Sequence, residues 1–198
     1  GKIKSVPVFI DSPMAIKATE IYARGQEFFN EKIQAQIRGG DDIFKFPRLE
    51  YSFSQNESRD IEKIKSAKII LAGSGMSIGG RVISHEKHYL PETKNTVLLV
   101  GYQTAGSLGR QLADGSKKVH IGHEAIKVKA QIETLYGYSA HRDSDHLVEF
   151  VSTGTDKLKK VFVAMGEPGA SMHLAQRLND ELGVKAVVPE LGGGYELE

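Results

Sequence analysis

The stretch YGYSAHRDSDHL sets His141 directly before a helix that Asp143, two residues on, can cap. A histidine titrates near neutral pH, and a neighbouring carboxylate can hold its ring and raise its proton affinity, as a general acid requires. His141 is therefore predicted to be catalytic, with Asp143 as its partner. The other histidines carry weaker signals. His85 and His88 lie one helical turn apart, a spacing that can share a metal, but their helix also needs a polar face. His120 and His123 point to opposite faces of a strand unless Gly122 turns the chain, while His146 and His173 read as helix-surface residues. The chain has no cysteine, so any metal would rest on His, Asp and Glu, and no His-x-His-x-Asp-His cluster occurs. No metal site is expected within these residues.

A second chemistry-bearing stretch runs from Ala67 to Leu90. The apolar run AKIILAG reads as a buried strand, SGMSIGG as a glycine-rich turn, and RVISHEKHYL as a helix ended by Pro91. Beyond the carboxyl end of such a strand, backbone N–H groups and the positive end of the next helix converge on a crevice that suits phosphate. The loop is neither a Walker A motif nor a strict GxGxxG. The run NTVLLVGYQ reads as another buried strand, whose exit over Gly101 to Thr104 opens on the same edge, so that two crevice loops become neighbours. The short helix AGSLGRQLADG, with Leu108 and Leu112 inward, then leaves Arg110 near that crevice.

These loops require a scaffold. The opening VPVFIDSPMA predicts a strand and then a helix, with Ser12 as cap and Pro13 in the first turn. Met14, Ala18, Ile21, Tyr22 and Gly25 share a helical face expected to pack on the sheet. A second helix carries Phe29, Ile33 and Ile37 and ends at Gly39 and Gly40. Leu49, Tyr51 and Phe53 alternate as in a half-exposed strand, and Asn56 or Ser58 caps a short helix through Lys65. From Val119 the period switches to two, with Ile126, Val128, Ala130 and Ile132 on one face and Lys127, Lys129, Gln131 and Glu133 on the other; Gly122 and His123 can make it a hairpin. The final third reads as helix 144–152, strand 160–164, helix 170–182 and strand 185–188, with Leu174, Leu178 and Leu182 as a buried stripe. The fold class is α/β, a mainly parallel sheet flanked by helices followed by an αβαβ segment, with the boundary near Gly137.

A chain of 198 residues with 40% hydrophobic content can bury one substantial core or two small ones. No apolar run approaches the roughly 18 residues of a membrane span, and the start lacks a signal-peptide layout, so no membrane partner and a cytoplasmic location are expected. Net charge is +1, but it is unevenly spread: residues 1–137 carry 20 Lys and Arg against 15 Asp and Glu, and residues 138–198 carry 6 against 10. A basic larger part suits an anionic polymer.

Taken in order, DSPMAIKATEIY, ILAGSGMSIGGRVISHEKHYLP, NTVLLVGYQTAGSLGRQL, GYSAHRD and VFVAMGEP resemble the β-CASP family, nucleic-acid hydrolases of the metallo-β-lactamase fold. The resemblance covers nearly the whole chain. It implies that residues 1–137 are the β-CASP lid and 138–198 the C-terminal piece of the metallo-β-lactamase domain, in a fragment whose N-terminal catalytic domain is missing. His141 falls on the family's Ser-Ala-His motif and would protonate the leaving 3′ oxygen. Ser74, Gly75, Met76, Gly79, Gly80 and Arg81, with Gln103, Gly106, Ser107 and Arg110, would line the path of single-stranded RNA. No cofactor is expected in the fragment, and two zinc ions in an intact active parent. The family's ribonucleases carry a zinc-ligand His where this chain has Met165, and a thioether is a poor zinc ligand. The resemblance therefore implies either a zinc-dependent ribonuclease, inert as this fragment, or a catalytically silent RNA-binding or assembly module. Without its sheet neighbours, the strand Val161, Phe162, Val163 needs cover from the lid or from a second copy in a homodimer.

Overall fold

The computed structural model describes residues 5–139 and 141–196. The chain divides into two compact units, one running to Tyr138 and one from Ser139. In the first, β1 (Val8–Asp11), β2 (Leu49–Tyr51) and β3 (Ile69–Ala72) form a parallel sheet in the order β2-β1-β3. Between them run α1 (Pro13–Arg24), α2 (Glu31–Arg38) and α3 (Gln55–Lys63). Then come α4 (Val82–Tyr89), β4 (Thr96–Val100), α5 (Leu108–Ala113), the antiparallel hairpin of β5 (Lys118–Ile121) and β6 (Glu124–Lys127), and β7 (Gln131–Leu135), which returns parallel to β4. The period-two stretch therefore splits at Gly122 (φ 62°), and its later half pairs with a distant strand. Leu90, Leu99, Leu112, Val119, Ile121 and Ala130 form the core beneath it.

Local signals set most boundaries. Ser12 accepts from the Ala15 N–H at 3.3 Å with Pro13 opening α1, and Asn30 accepts from the Ile33 N–H at 3.0 Å to start α2. Neither Asn56 nor Ser58 caps α3. Ser54 does, in a capping box with Glu57, because Ser58 is buried and donates instead to Asp11. The predicted inner face of α1 also turns outward: Met14 (81% exposed), Ile21 (70%) and Tyr22 (62%) face solvent, while Ile16 (2%) is buried. Apolar residues lie on both sides of this helix, so periodicity alone does not select the face. Likewise β3 and β4 are not buried throughout. Ile69, Leu71, Leu98 and Val100 are exposed on one face, while Leu99 is in the core.

The second unit contains α6 (Ser144–Ser152), β8 (Val161–Phe162), α7 (Pro168–Leu182) and β9 (Ala186–Val187), with β8 and β9 parallel. Leu178 is central to its core, Leu174 and Leu182 pack against it, and Gly183 ends α7 in the left-handed conformation. Arg177 of α7 joins the two helices through Asp145 of α6 at 2.7 Å, and Glu181, one turn along its own helix, pairs with it at 2.6 Å. Cover for β8 comes from within this unit: Val161 and Val163 pack with Val148, Ala175 and Leu178, and Phe162 meets the Tyr195 ring edge-on. A second copy is not needed to shield them. No helix among the described residues is long and apolar enough to cross a membrane.

Candidate functional site

Three strand exits of the first unit are tied together by one buried ion network. Asp11, the last residue of β1, is fully buried. Its Oδ1 accepts from the Arg81 guanidinium at 2.6 Å, and its Oδ2 accepts from Ser58 Oγ and from His85 Nε2, each at 2.6 Å. Arg81 donates further to the carbonyls of Ser52 and Phe53, both at 2.8 Å, just past β2. Burial alone would push the Asp11 carboxyl up, but hydrogen bonds from Ser58, His85, Ser52 and Arg81 outweigh it and hold the group below the usual carboxylate range. An ionised, acceptor-only carboxylate requires His85 to carry its proton on Nε2.

Arg81 closes the glycine-rich loop, so the network fixes where that loop stands. Within it, Ser74 N–H donates to the Gly79 carbonyl at 3.2 Å and Ser77 N–H to the Ser74 carbonyl at 3.1 Å. Gly80 has φ 76°, and a Cβ there would lie 2.5 Å from the Gly73 carbonyl oxygen, so only glycine fits. Ser77 (φ 54°) donates its hydroxyl to Glu86, whose buried carboxyl is pushed up by desolvation.

The loop after β4 meets this one, but not along a shared sheet edge as expected: β4 pairs with β7, outside the β2-β1-β3 sheet. Buried Gln103 donates from Nε2 to the Gly75 carbonyl at 2.9 Å, and Gly109 N–H donates to the Met76 carbonyl at 3.2 Å. A Cβ on Gly109 would strike the Gln103 side chain, so this contact also depends on glycine. Ser107 caps α5, accepting from the Arg110 N–H at 3.1 Å, and Arg110 Nε reaches both Asp114 oxygens at 3.0 Å. Of the residues expected to face RNA, Gly75, Gly80 and Gly106 are exposed and Ser74, Met76, Gly79 and Arg110 half-buried. Arg81, Gln103 and Ser107 instead direct their polar groups into the fold.

In the second unit, His141 is exposed, and its N–H donates to Ser139 Oγ at 3.2 Å. Asp143 caps α6, accepting from the His146 N–H at 2.9 Å and facing His146 Nδ1 at 2.6 Å. Those bonds hold its carboxyl below the usual range. The carboxylate that the spacing assigned to His141 is thus engaged by His146, one helical turn on. Met165 is fully exposed with φ 68°, next to a Gly166 whose Cβ would come within 2.5 Å of Ser171 Oγ. Among the described residues, no group of three or more His, Asp or Glu could hold a metal ion. With a thioether at Met165, these residues do not make a zinc centre.

Asp11, Ser52, Ser77 and Glu86 carry no local sequence signal for these contacts, and Ser58 reads only as a helix cap. Asp11 shows only a charge ending an otherwise apolar strand.

A family model described as Beta-Casp domain matches residues 1–112, and one described as Zn-dependent metallo-hydrolase RNA specificity domain matches residues 125–189. Ribonuclease TTHA0252 of Thermus thermophilus is 33% identical over 150 residues, 76% of this chain and 35% of the relative. Transcription termination factor FttA of Pyrococcus horikoshii is 29% identical over 190 residues, 93% of this chain and 29% of the relative. FttA of Cenarchaeum symbiosum is 31% identical over 207 aligned residues, 100% of this chain and 31% of the relative. The chain spans about a third of the length of the curated relatives it matches.

Proposed function

This chain belongs to the β-CASP family, and on that premise we propose that it is the RNA-gripping and proton-donating part of a longer phosphodiester hydrolase acting in RNA processing or decay. The observation that carries the reading is the junction of the two strand-exit loops, Gln103 on Gly75 and Gly109 on Met76. Exposed glycines at 75, 80 and 106 let a phosphodiester backbone approach main-chain N–H groups without side chains in the way. Gln103, Ser107 and Arg81 are positioning residues in this scheme: they hold the loops that touch RNA. Single-stranded RNA is the ligand, with residues 1–137 as the β-CASP lid domain and residues 138–198 as the C-terminal piece of the metallo-β-lactamase domain.

His141 is the proton donor. In hydrolysis the bond from phosphorus to the leaving 3′ oxygen breaks as water's oxygen bonds to phosphorus and the water gives up a proton to solvent, while the imidazole in its protonated form supplies the proton that the leaving oxygen needs. Asp143 keeps the first turn of α6 in place, and the His141 backbone is two residues upstream. In the longer zinc-loaded polypeptide, His141→Ala is expected to lower kcat for RNA cleavage by about 10²–10⁴-fold, with RNA affinity unchanged. Undiminished cleavage would remove this role.

Met165 favours a second reading, a silent module that binds RNA or assembles with an active partner. Its exposed thioether stands where the family resemblance implies an imidazole. RNA binding that weakens steeply with salt, in a zinc-loaded parent that cleaves nothing even with Met165→His, would select it.

A further inference from the structure

The β5–β6 hairpin brings two lysines face to face. Its antiparallel register sets Lys118 directly opposite Lys127, and both are exposed. Side chains directly across an antiparallel pair have Cβ atoms about 5 Å apart, and like charges so placed repel. The ladder alternates, so Val119 and Ile121 turn into the core while Lys118, His120 and Lys127 face out. Lys117 and Lys129 flank the two strands and are also exposed. Lys129 lines a shallow pocket with Lys94, which pairs with Glu92 at 2.7 Å. The hairpin's one acid, Glu124, sits at the far end of the ladder, where it pairs with Lys87 at 2.8 Å. Lys118 and Lys127 thus share the outward face of a short ribbon with Lys129 just beyond it, and the ribbon's one carboxylate is committed elsewhere.

We propose that this lysine face is a second contact for the phosphodiester backbone of RNA, separate from the glycine-loop crevice. The register specifies it: a cross-strand lysine pair costs the hairpin stability, and an anion bridging both ammonium groups removes that cost. The face also lies away from the crevice. Lys94 and Lys129 precede the amino ends of β4 and β7, whereas Gly101 to Ser107 follow the carboxyl end of β4. At about 3.3 Å per residue, the five residues of β4 separate the two regions by roughly 16 Å. A short oligonucleotide fills the crevice alone, and a longer strand reaches both.

The inference rests on the RNA-binding reading, and its test separates the two. RNA affinity is measured by fluorescence anisotropy over a series of salt concentrations for the wild type, Lys118→Gln, the Lys118→Gln/Lys127→Gln double variant, and Lys118→Glu. For a single strand, each lost phosphate contact lowers the slope of log K against log salt by about 0.7, so the double variant should lose about 1.4 on long RNA and nothing on short RNA. Lys118→Glu replaces a repulsive cross-strand pair with an attractive one. Its thermal midpoint should stay level or rise while long-RNA affinity falls, a combination that damage to the fold does not produce. A wild type that binds no RNA in a salt-dependent way overturns the RNA reading itself. Normal wild-type binding with unchanged slopes in the variants overturns the second contact alone. Unchanged RNA binding with self-association of the variants would assign the lysines to guarding the hairpin's edges, and unchanged RNA binding with loss of an acidic protein partner would assign them to that partner.

Discussion

At the scale of single residues, the Asp11 carboxylate organises the first unit more than any group that spacing singled out. It is fully buried, and its partners Ser58, Arg81 and His85 lie 47, 70 and 74 residues away. No local pattern encodes pairings at that separation. The sequence therefore displayed Arg81 and His85 as a candidate RNA contact and a weak candidate chelator, while the group they both bind passed unremarked. Asp11→Asn keeps the shape but removes the charge opposite a guanidinium that is itself mostly buried. Breaking one side of such a pair typically costs about 3–5 kcal/mol. The unfolding free energy from denaturant titration is expected to fall by at least about 3 kcal/mol, and RNA binding should weaken with it because the anchor of the glycine-rich loop is lost. A variant as stable as the wild type would show that Asp11 does not hold the loop. Asp143 shows the opposite limit: its capping role was legible because a cap is a local signal, whereas its side-chain partner, His146 rather than His141, was decided by which ring the helix turn brings back.

At the scale of elements, what could be read is what neighbours in sequence determine. Helix α6 over Ser144–Ser152, the stop at Gly183, the turn at Gly122 and the order of strands and helices all follow from caps, glycines and periodicity. Less was legible wherever a third element chooses. The inner face of α1, the open faces of β3 and β4, and the return of β7 to β4 depend on what packs alongside, and a run of apolar residues looks the same with one face covered or two. The glycine-rich loop allows a test at this scale, since its glycines are not equivalent. Gly80→Ala must place a methyl 2.5 Å from the Gly73 carbonyl oxygen on a backbone at φ 76°, so the loop has to move. Gly75→Ala meets nothing within 4 Å and carries no such backbone demand. The first substitution is expected to lower the thermal midpoint and weaken RNA binding, by about 1–3 kcal/mol of stability. The second should leave stability within about 0.5 kcal/mol of the wild type and affect only RNA that must approach that surface. Equal behaviour of the two would mean that the loop is not built as described.

At the scale of the whole molecule, two buried carboxylates of opposite character shape the response to pH. Asp11 is held below its ordinary range when folded, so its contribution is present above its unfolded value near 3.9 and is lost as pH falls through the folded value. Glu86 is displaced the other way, pushed up by burial beside Ser77. The folded state binds that proton more tightly than the unfolded chain, so Glu86 favours folding below its unfolded value near 4.3 and loses that contribution as pH rises through the folded value. Stability should therefore peak in mildly acidic solution and decline on both sides. Glu86→Gln retains an acceptor for the Ser77 hydroxyl and removes the ionisation. It should raise stability at neutral pH and flatten the decline on the alkaline side, while leaving the acid limb where it was. Exposed carboxylates held low by partners, among them Glu57, Glu92, Asp143 and Glu181, add to the acid limb, but water and salt screen them. Added salt should shrink their share and spare the part set by Asp11, whose partners lie out of reach of the ionic atmosphere. Denaturant titrations across pH, at low and high salt, on the wild type and Glu86→Gln separate the three contributions. An alkaline limb that survives Glu86→Gln unchanged would mean that a different group carries it.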